Sequence, residues 1–357
     1  MTKNSITDKN NQDIEFLKDK TENGKVRPWK VKKLKSLELS DSYQRLRLEN
    51  KFLDVQRCGE TLVFKRFEDG SGKLDNVYFC KKRLCSMCAW RRGLKIFSQV
   101  SKVVDSVNSE NQYRYLFLTL TCKNVSGTDL REQIDVLIKS FDKLFKRANI
   151  KNVVKGWFRA LEVTHDVDRK VTREMYYGCK ENHLKSRKEY YDSFGLGIGD
   201  NNLNFDMYHP HFHVILVVDK SYFHHHYINQ EKWTSLWKES LKCNYTPIVH
   251  IATFKNKNGK GVSEVAKYTV KDNDYLVKND PDLTDKTVIE LDTAFAHRRL
   301  IAFGGVLKDE HRRLKLEDLN NSNVDLINVD GEEVSEEVKY VLESYRWNIG
   351  YSNYVKF

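Results

Sequence analysis

Several features that would fix a functional class are missing from this chain. No apolar run approaches the ~18 residues that a membrane-crossing helix needs. The 357-residue sequence opens on a polar, charged stretch, residues 1–23, without the apolar core of a secretory signal. The G-x4-G-K-[ST] spacing of a phosphate-binding loop is absent, and Gly259-Lys260-Gly261 does not supply it; this argues against an ATP-driven motor. A G-x-S-x-G nucleophile elbow is also missing, as are internal repeats and long low-complexity segments. The seven cysteines are odd in number and come with no export signal, so reduced thiols in a cytoplasmic protein are expected.

Basic charge is present in excess. The formal net charge is +11, with lysine and arginine clustered over residues 25–35, 81–95 and 298–315. Such a balance suits a polyanionic partner. With 40% apolar and 12% aromatic residues the chain can also build a sizeable core.

Residues 1–26 read as a disordered arm, poor in apolar side chains. A helical lead-in follows over 29–48, then two short strands around the Asp69-Gly70-Ser71-Gly72 turn. A helix is expected from Cys85 to about residue 104. The β-branched and aromatic run 113–121 predicts a strand. Leu130, Ile134, Leu137, Phe141 and Leu144 recur at helical spacing and predict an amphipathic helix over 129–148. Strands are expected over 156–164, 211–218 and 248–254, a helix over 228–242, and a further helix over 262–271. Residues 166–206 read as an irregular insertion. The order β-α-β-β-α-β is the split βαβ pattern: an α+β, ferredoxin-like core whose antiparallel sheet is covered by helices on one face. The implied division is a cysteine-rich, DNA-binding region over 27–110, a core over 111–280 and a C-terminal extension over 281–357 for DNA binding or dimerisation.

Three constellations carry chemistry. His211 and His213 sit one residue apart at the start of an apolar strand, so both imidazoles share a face. Glu162 on the preceding strand could lie beside them if the two strands are antiparallel neighbours. Two imidazoles and one carboxylate suit Mg²⁺ or Mn²⁺ with open positions for phosphate oxygens. His209 shares that face but precedes a proline and the apolar run. In the second constellation, Glu264, Tyr268 and Lys271 share one side of the helix expected there. A tyrosine phenol can attack phosphorus, Lys267 and Lys271 can neutralise phosphate, and Glu264 can act as a general base. Tyr275 is a rival nucleophile further along. The third constellation is Cys58, Cys80, Cys85 and Cys88, a set suited to a structural Zn²⁺. Arg91 and Arg92 follow it as candidate phosphate contacts.

Phe117-Leu118-Thr119-Leu120-Thr121, His211-Phe212-His213 and the tyrosine of Glu264-Val265-Ala266-Lys267-Tyr268 follow, in this order, the motifs of replication-type HUH endonucleases. With the cysteine segment from Phe79 to Arg92 and the helix around Trp233 and Trp237, the chain resembles the rolling-circle plasmid replication initiators of Gram-positive bacteria. The resemblance spans roughly residues 50–357. It implies an HUH core that recognises a double-strand origin, usually with an extruded hairpin, and acts on single-stranded DNA. It further implies His211, His213 and Glu162 as metal ligands, Tyr268 as the nucleophile that becomes a 5′-phosphotyrosine, and Glu264 as the base that activates water for the terminating cleavage. A host helicase and polymerase would then be partners, and a homodimer is among the expectations. Two other readings stay open. One is a zinc-dependent DNA-binding regulator that does not cleave. The other is a transposase or relaxase with the same core.

Overall fold

The computed structural model describes residues 14–21, 23–110, 113–179, 186–253, 274–321, 323–329 and 339–357. The N-terminal region begins with helices α1 (Trp29–Arg45) and α2 (Glu49–Arg57), followed by the hairpin β1 (Thr61–Phe67) and β2 (Gly72–Val77), then the long helix α3 (Ser86–Glu110). Next come β3 (Arg114–Thr121), α4 (Gly127–Lys146), β4 (Val154–His165), β5 (Tyr208–Val218), the helix Gln230–Leu241 and β6 (Val249–Thr253). The last part contributes the helix Pro281–Phe295, β7 (Ile301–Gly305), the helix Val306–Arg313, and the pair β8 (Tyr340–Asn348) and β9 (Asn353–Lys356).

The larger sheet has the order β6-β3-β5-β4-β7 with every neighbouring pair antiparallel. Its first four strands in chain order lie as fourth-first-third-second, the arrangement that the split βαβ pattern produces. β5 is central and apolar on both sides. Val214, Ile215, Leu216, Val217 and Val218 are all fully buried.

On one face α4 presents Leu130, Ile134, Leu137, Phe141 and Leu144, all buried; each such side chain stabilises the fold by about 1.5–3 kcal/mol. Phe141 packs edge-on to Phe212 and Trp157. The helix Gln230–Leu241 lies beside α4. Its first turn is closed by Asn229, whose side chain accepts the Lys232 amide at 2.9 Å.

The expectation of helices on one face is corrected here. Ile215, Phe158 and Phe303 are cross-strand partners on the face opposite Phe212. There Phe303 packs against His311 of the helix Val306–Arg313, with ring centroids 4.6 Å apart. His311 in turn contacts Gln99 of α3 at 3.2 Å. A second helical layer therefore covers this face. β7 is placed by its glycines. A Cβ on Gly304 would lie 2.2 Å from the Trp157 ring, and one on Gly305, which has φ +55°, would lie 2.1 Å from the Lys155 carbonyl oxygen.

Packing is continuous across the expected divisions at 110 and 280. Residues 281–357 supply β7 to the larger sheet, while β8 and β9 complete a smaller sheet of order β2-β1-β8-β9. One buried cluster runs from Trp29 to Tyr354. The described part of the N-terminal arm is likewise attached, because the Leu17 amide donates to the Tyr354 carbonyl at 3.1 Å.

Candidate metal centres

Strand pairing assembles the first centre. β5 lies between β3 and β4, with Glu162 opposite His211, Ala160 opposite His213, and Thr121 and Thr119 opposite the same two histidines on the other side. The period of two puts His209, His211 and His213 on one face. Small Ala160 beside His213 leaves room for the longer Glu162 to reach across. Its Oε2 lies 2.8 Å from His213 Nε2 and 3.5 Å from His211 Nε2, and the two imidazole nitrogens are 3.2 Å apart.

The ligand atoms of Glu162, His211 and His213 thus converge within 4.8 Å of one another. The carbonyl of His209 takes the Nδ1 proton of His211 at 3.1 Å. With Nδ1 turned to that carbonyl, Nε2 is the nitrogen that faces Glu162 and His213. His213 is held between Thr119 Oγ1, 3.4 Å from its Nδ1, and a stacked Phe117 ring 5.5 Å away. Burial would raise the Glu162 pKa, but hydrogen bonds and charge from His211 and His213 more than offset it. The carboxyl is held well below the usual carboxylate range and stays ionised at neutral pH. Two imidazoles and a carboxylate are a donor set that Mg²⁺ or Mn²⁺ accepts.

His209 is not part of this group. Its Nδ1 lies 2.8 Å from Asn124 Oδ1, and burial, with the charges of His211 and Arg187, lowers its pKa to about 4. Tyr275, the rival nucleophile, is 1% exposed and its hydroxyl donates to the Leu84 carbonyl; the core has taken it. Glu264, Lys267, Tyr268 and Lys271 lie outside the described residues. The chain leaves β6 at Thr253, opposite Leu116, and is described again from Asp274. The Asp274 carbonyl accepts from His165 Nδ1 at 2.9 Å, at the end of the strand that carries Glu162.

The second centre gathers Cys58 after α2, Cys80 after β2, and Cys85 and Cys88 at the start of α3. All four are buried and free. Their sulfurs are 3.5 Å apart for Cys58–Cys88, 3.6 Å for Cys58–Cys85 and 3.7 Å for Cys80–Cys88. A disulfide needs ~2.05 Å. A zinc tetrahedron with ~2.3 Å bonds has edges of about 3.8 Å, so the cluster has the size of a four-thiolate zinc site. The Cys80 amide points at Cys58 Sγ (3.4 Å) and the Lys81 amide at Cys88 Sγ (3.2 Å), as donors to thiolates would.

Two α1 residues that sequence reasoning missed complete the surroundings. Ser36 Oγ is 3.4 Å from Cys85 Sγ, and buried Lys33 donates to the carbonyls of Gln56 and Cys58 at 2.6 and 2.9 Å. Their only signal is a polar stripe at helical spacing, Lys33, Ser36 and Ser40, which reads as a solvated face. Cys122, Cys179 and Cys243 lie outside the cluster.

The candidate phosphate contacts Arg91 and Arg92 both make hydrogen bonds inside the protein. Arg91 is 4% exposed and donates to the carbonyls of Leu326 and Ile327 at 2.9 and 2.6 Å, while Arg92 donates to that of Leu319 at 2.8 Å. These guanidiniums fasten the segment after the last helix onto α3.

The fold and its clusters define a mixed α+β protein with antiparallel sheets and two groups of side chains able to hold metal ions. Among the described residues no helix is long and apolar enough to cross a membrane. Residues 71–355 match the model of a family described as replication protein. The chain is 36% identical to Protein rep of Bacillus amyloliquefaciens, covering 96% of this chain and 98% of that one. It is 35% identical to Protein rep of Streptococcus pneumoniae serotype 2, covering 96% of each, and 33% identical to Protein rep of Lactiplantibacillus plantarum, covering 95% and 98%. No solved structure matches. The chain belongs to the replication protein family and is homologous to the Rep proteins of these Gram-positive bacteria.

Proposed function

We propose that this replication protein is a single-tyrosine HUH endonuclease that starts rolling-circle replication of a plasmid by nicking one strand at its origin. The observation that carries this reading is the convergence of Glu162, His211 and His213 on one point of the central strands. When bound there, Mg²⁺ or Mn²⁺ would act as a Lewis acid on a non-bridging oxygen of the scissile phosphate. The ionised Glu162 and the oriented Nε2 of His211 fix where that phosphate sits. The Tyr268 oxygen then attacks phosphorus as the P–O3′ bond breaks. The phenolic proton leaves to solvent or base, the departing 3′ oxygen gains a proton, and a 5′-phosphotyrosine remains. Lys267 and Lys271 offset phosphate charge, and the 3′-OH primes synthesis by a host polymerase behind a host helicase. Glu264 takes the proton of the water that ends the reaction. Cys58, Cys80, Cys85 and Cys88 hold a structural Zn²⁺ that braces the N-terminal region.

The test is incubation with a supercoiled plasmid bearing the protein's own origin and Mn²⁺. A nicked product with protein covalently linked to its 5′ end is expected, and Tyr268→Phe should abolish it. No adduct with any divalent ion, alongside intact origin binding, would instead favour a non-cleaving zinc-dependent regulator. An adduct that persists in Tyr268→Phe would remove the nucleophile assignment.

A further inference from the structure

The insertion between β4 and β5 carries a small core of its own, Val171, Met175 and Tyr191. Other apolar side chains are left outside that core. Tyr190 is 39% exposed and Phe194 57%, and their rings pack 5.1 Å apart. Leu203 of the same insertion is also exposed.

This pair is not isolated from the metal-binding face. Tyr190 Oη accepts from Asn204 Nδ2 at 3.2 Å, Asn204 Oδ1 accepts from Asn124 Nδ2 at 2.9 Å, and Asn124 Oδ1 is 2.8 Å from His209 Nδ1. The His209 ring lies 5.3 Å from that of His211. A polar relay of two asparagine side chains therefore fixes an exposed aromatic pair relative to the histidines. A surface patch serving only solubility or local packing has no use for such a fixed relation.

We propose that Tyr190 and Phe194 form a stacking platform for bases of the single strand that flanks the phosphate held at the Glu162–His211–His213 site. This rests on the nicking function proposed above. A single strand is favoured over a duplex because only unpaired bases offer their faces to a ring. Acidic and basic residues nearly balance across 166–206, so the insertion is not a general phosphate-binding surface; stacking needs no net charge. The asparagine relay gives the platform register, setting which bases are gripped when a given phosphate reaches the metal ligands.

The test measures equilibrium binding to fluorescein-labelled single-stranded oligonucleotides from the plasmid's own origin. It uses full-length protein carrying Tyr268→Phe, which cannot cleave. Tyr190→Ala with Phe194→Ala is expected to weaken binding about tenfold or more. The dependence on salt should keep its slope, since no phosphate contact is lost. In the parent, an abasic site walked along the strand should weaken binding at one or two positions, and the double variant should lose that sensitivity. Tyr190→Trp with Phe194→Trp should restore affinity, which excludes a folding defect, while losing the hydroxyl that ends the asparagine relay should shift or blur the abasic pattern. Unchanged affinity and an unchanged abasic pattern in the alanine variant would overturn the proposal and assign the patch to a protein partner. Because the readout does not depend on cleavage, a failed nicking assay leaves this result standing, and the reverse holds as well.

Discussion

Glu162 is paired with His211 across β4 and β5, yet its carboxylate oxygen is nearer to His213, at 2.8 Å against 3.5 Å. The carboxylate leans along the strand and makes one oxygen common to both imidazoles. A single ion placed among the three would meet a ready-made negative charge rather than recruit one. Glu162→Gln keeps the shape and removes the charge. Its expected outcome is a fall in Mn²⁺ affinity of at least about 100-fold, since even outer partners of metal ligands contribute 10–100-fold. Titration calorimetry with Mn²⁺ reads this directly, and an affinity within a few-fold of wild type would remove Glu162 from the ligand set.

The cysteine cluster makes a separable prediction. Purified protein should hold one zinc per chain, and Cys58→Ser or Cys88→Ser should lose it and unfold at markedly lower temperature. A zinc-thiolate site contributes on the order of 10 kcal/mol or more to folding at neutral pH. Cys122→Ser and Cys243→Ser should keep full zinc. Elemental analysis of the five proteins decides the matter, and zinc-free wild type would refute the site.

Acid stability gives a third test. Glu343 on β8 receives Arg66 Nε at 2.8 Å, Tyr345 Oη at 2.9 Å and Lys356 Nζ at 2.7 Å. Burial would raise its pKa, but the hydrogen bonds from Lys356, Arg66 and Tyr345 pull it down to about 2. The unfolded value is ~4.3. A carboxylate lowered on folding stabilises the protein above the unfolded pKa, and this stability is lost as pH falls toward the folded one. Wild type should therefore exceed Glu343→Gln by on the order of 2 kcal/mol from neutrality to about pH 5, with the gap closing toward pH 2. Urea unfolding of both proteins across that range checks it. Their difference cancels the acid lability of any metal held by the four cysteines, which both proteins share. A gap that stays constant to pH 2 would refute the assignment.

The strands of the core were readable because β-branched and aromatic runs such as Tyr115-Leu116-Phe117-Leu118 favour only one pleated, buried setting. The metal group was readable for a related reason: a period of two fixes which residues share a face, so His211, His213 and Glu162 needed only the antiparallel pairing to meet. What escaped depended on distant approach. β7 is five residues long with two glycines, and its fit against Trp157 is visible only once β4 is in place. β8 pairs with β1 from the other end of the chain. Arg91 and Arg92 stand in a basic run, and their hydrogen bonds to the carbonyls of Leu319, Leu326 and Ile327 are visible only once that distant segment has arrived. Nothing in the spacing of the apolar residues of α3 tells which face of a sheet it will cover, so the second helical layer was missed.

The insertion leaves and rejoins the sheet at a matched pair, His165 opposite Tyr208, whose rings stack 4.2 Å apart. Its two ends are thus separated by one strand spacing, about 5 Å, the gap that a tight hairpin turn closes. Such a joint accepts a longer, shorter or altogether different module without moving Glu162, His211 or His213. The chain between these two ends can therefore change in length and content while the Glu162–His211–His213 group keeps its geometry.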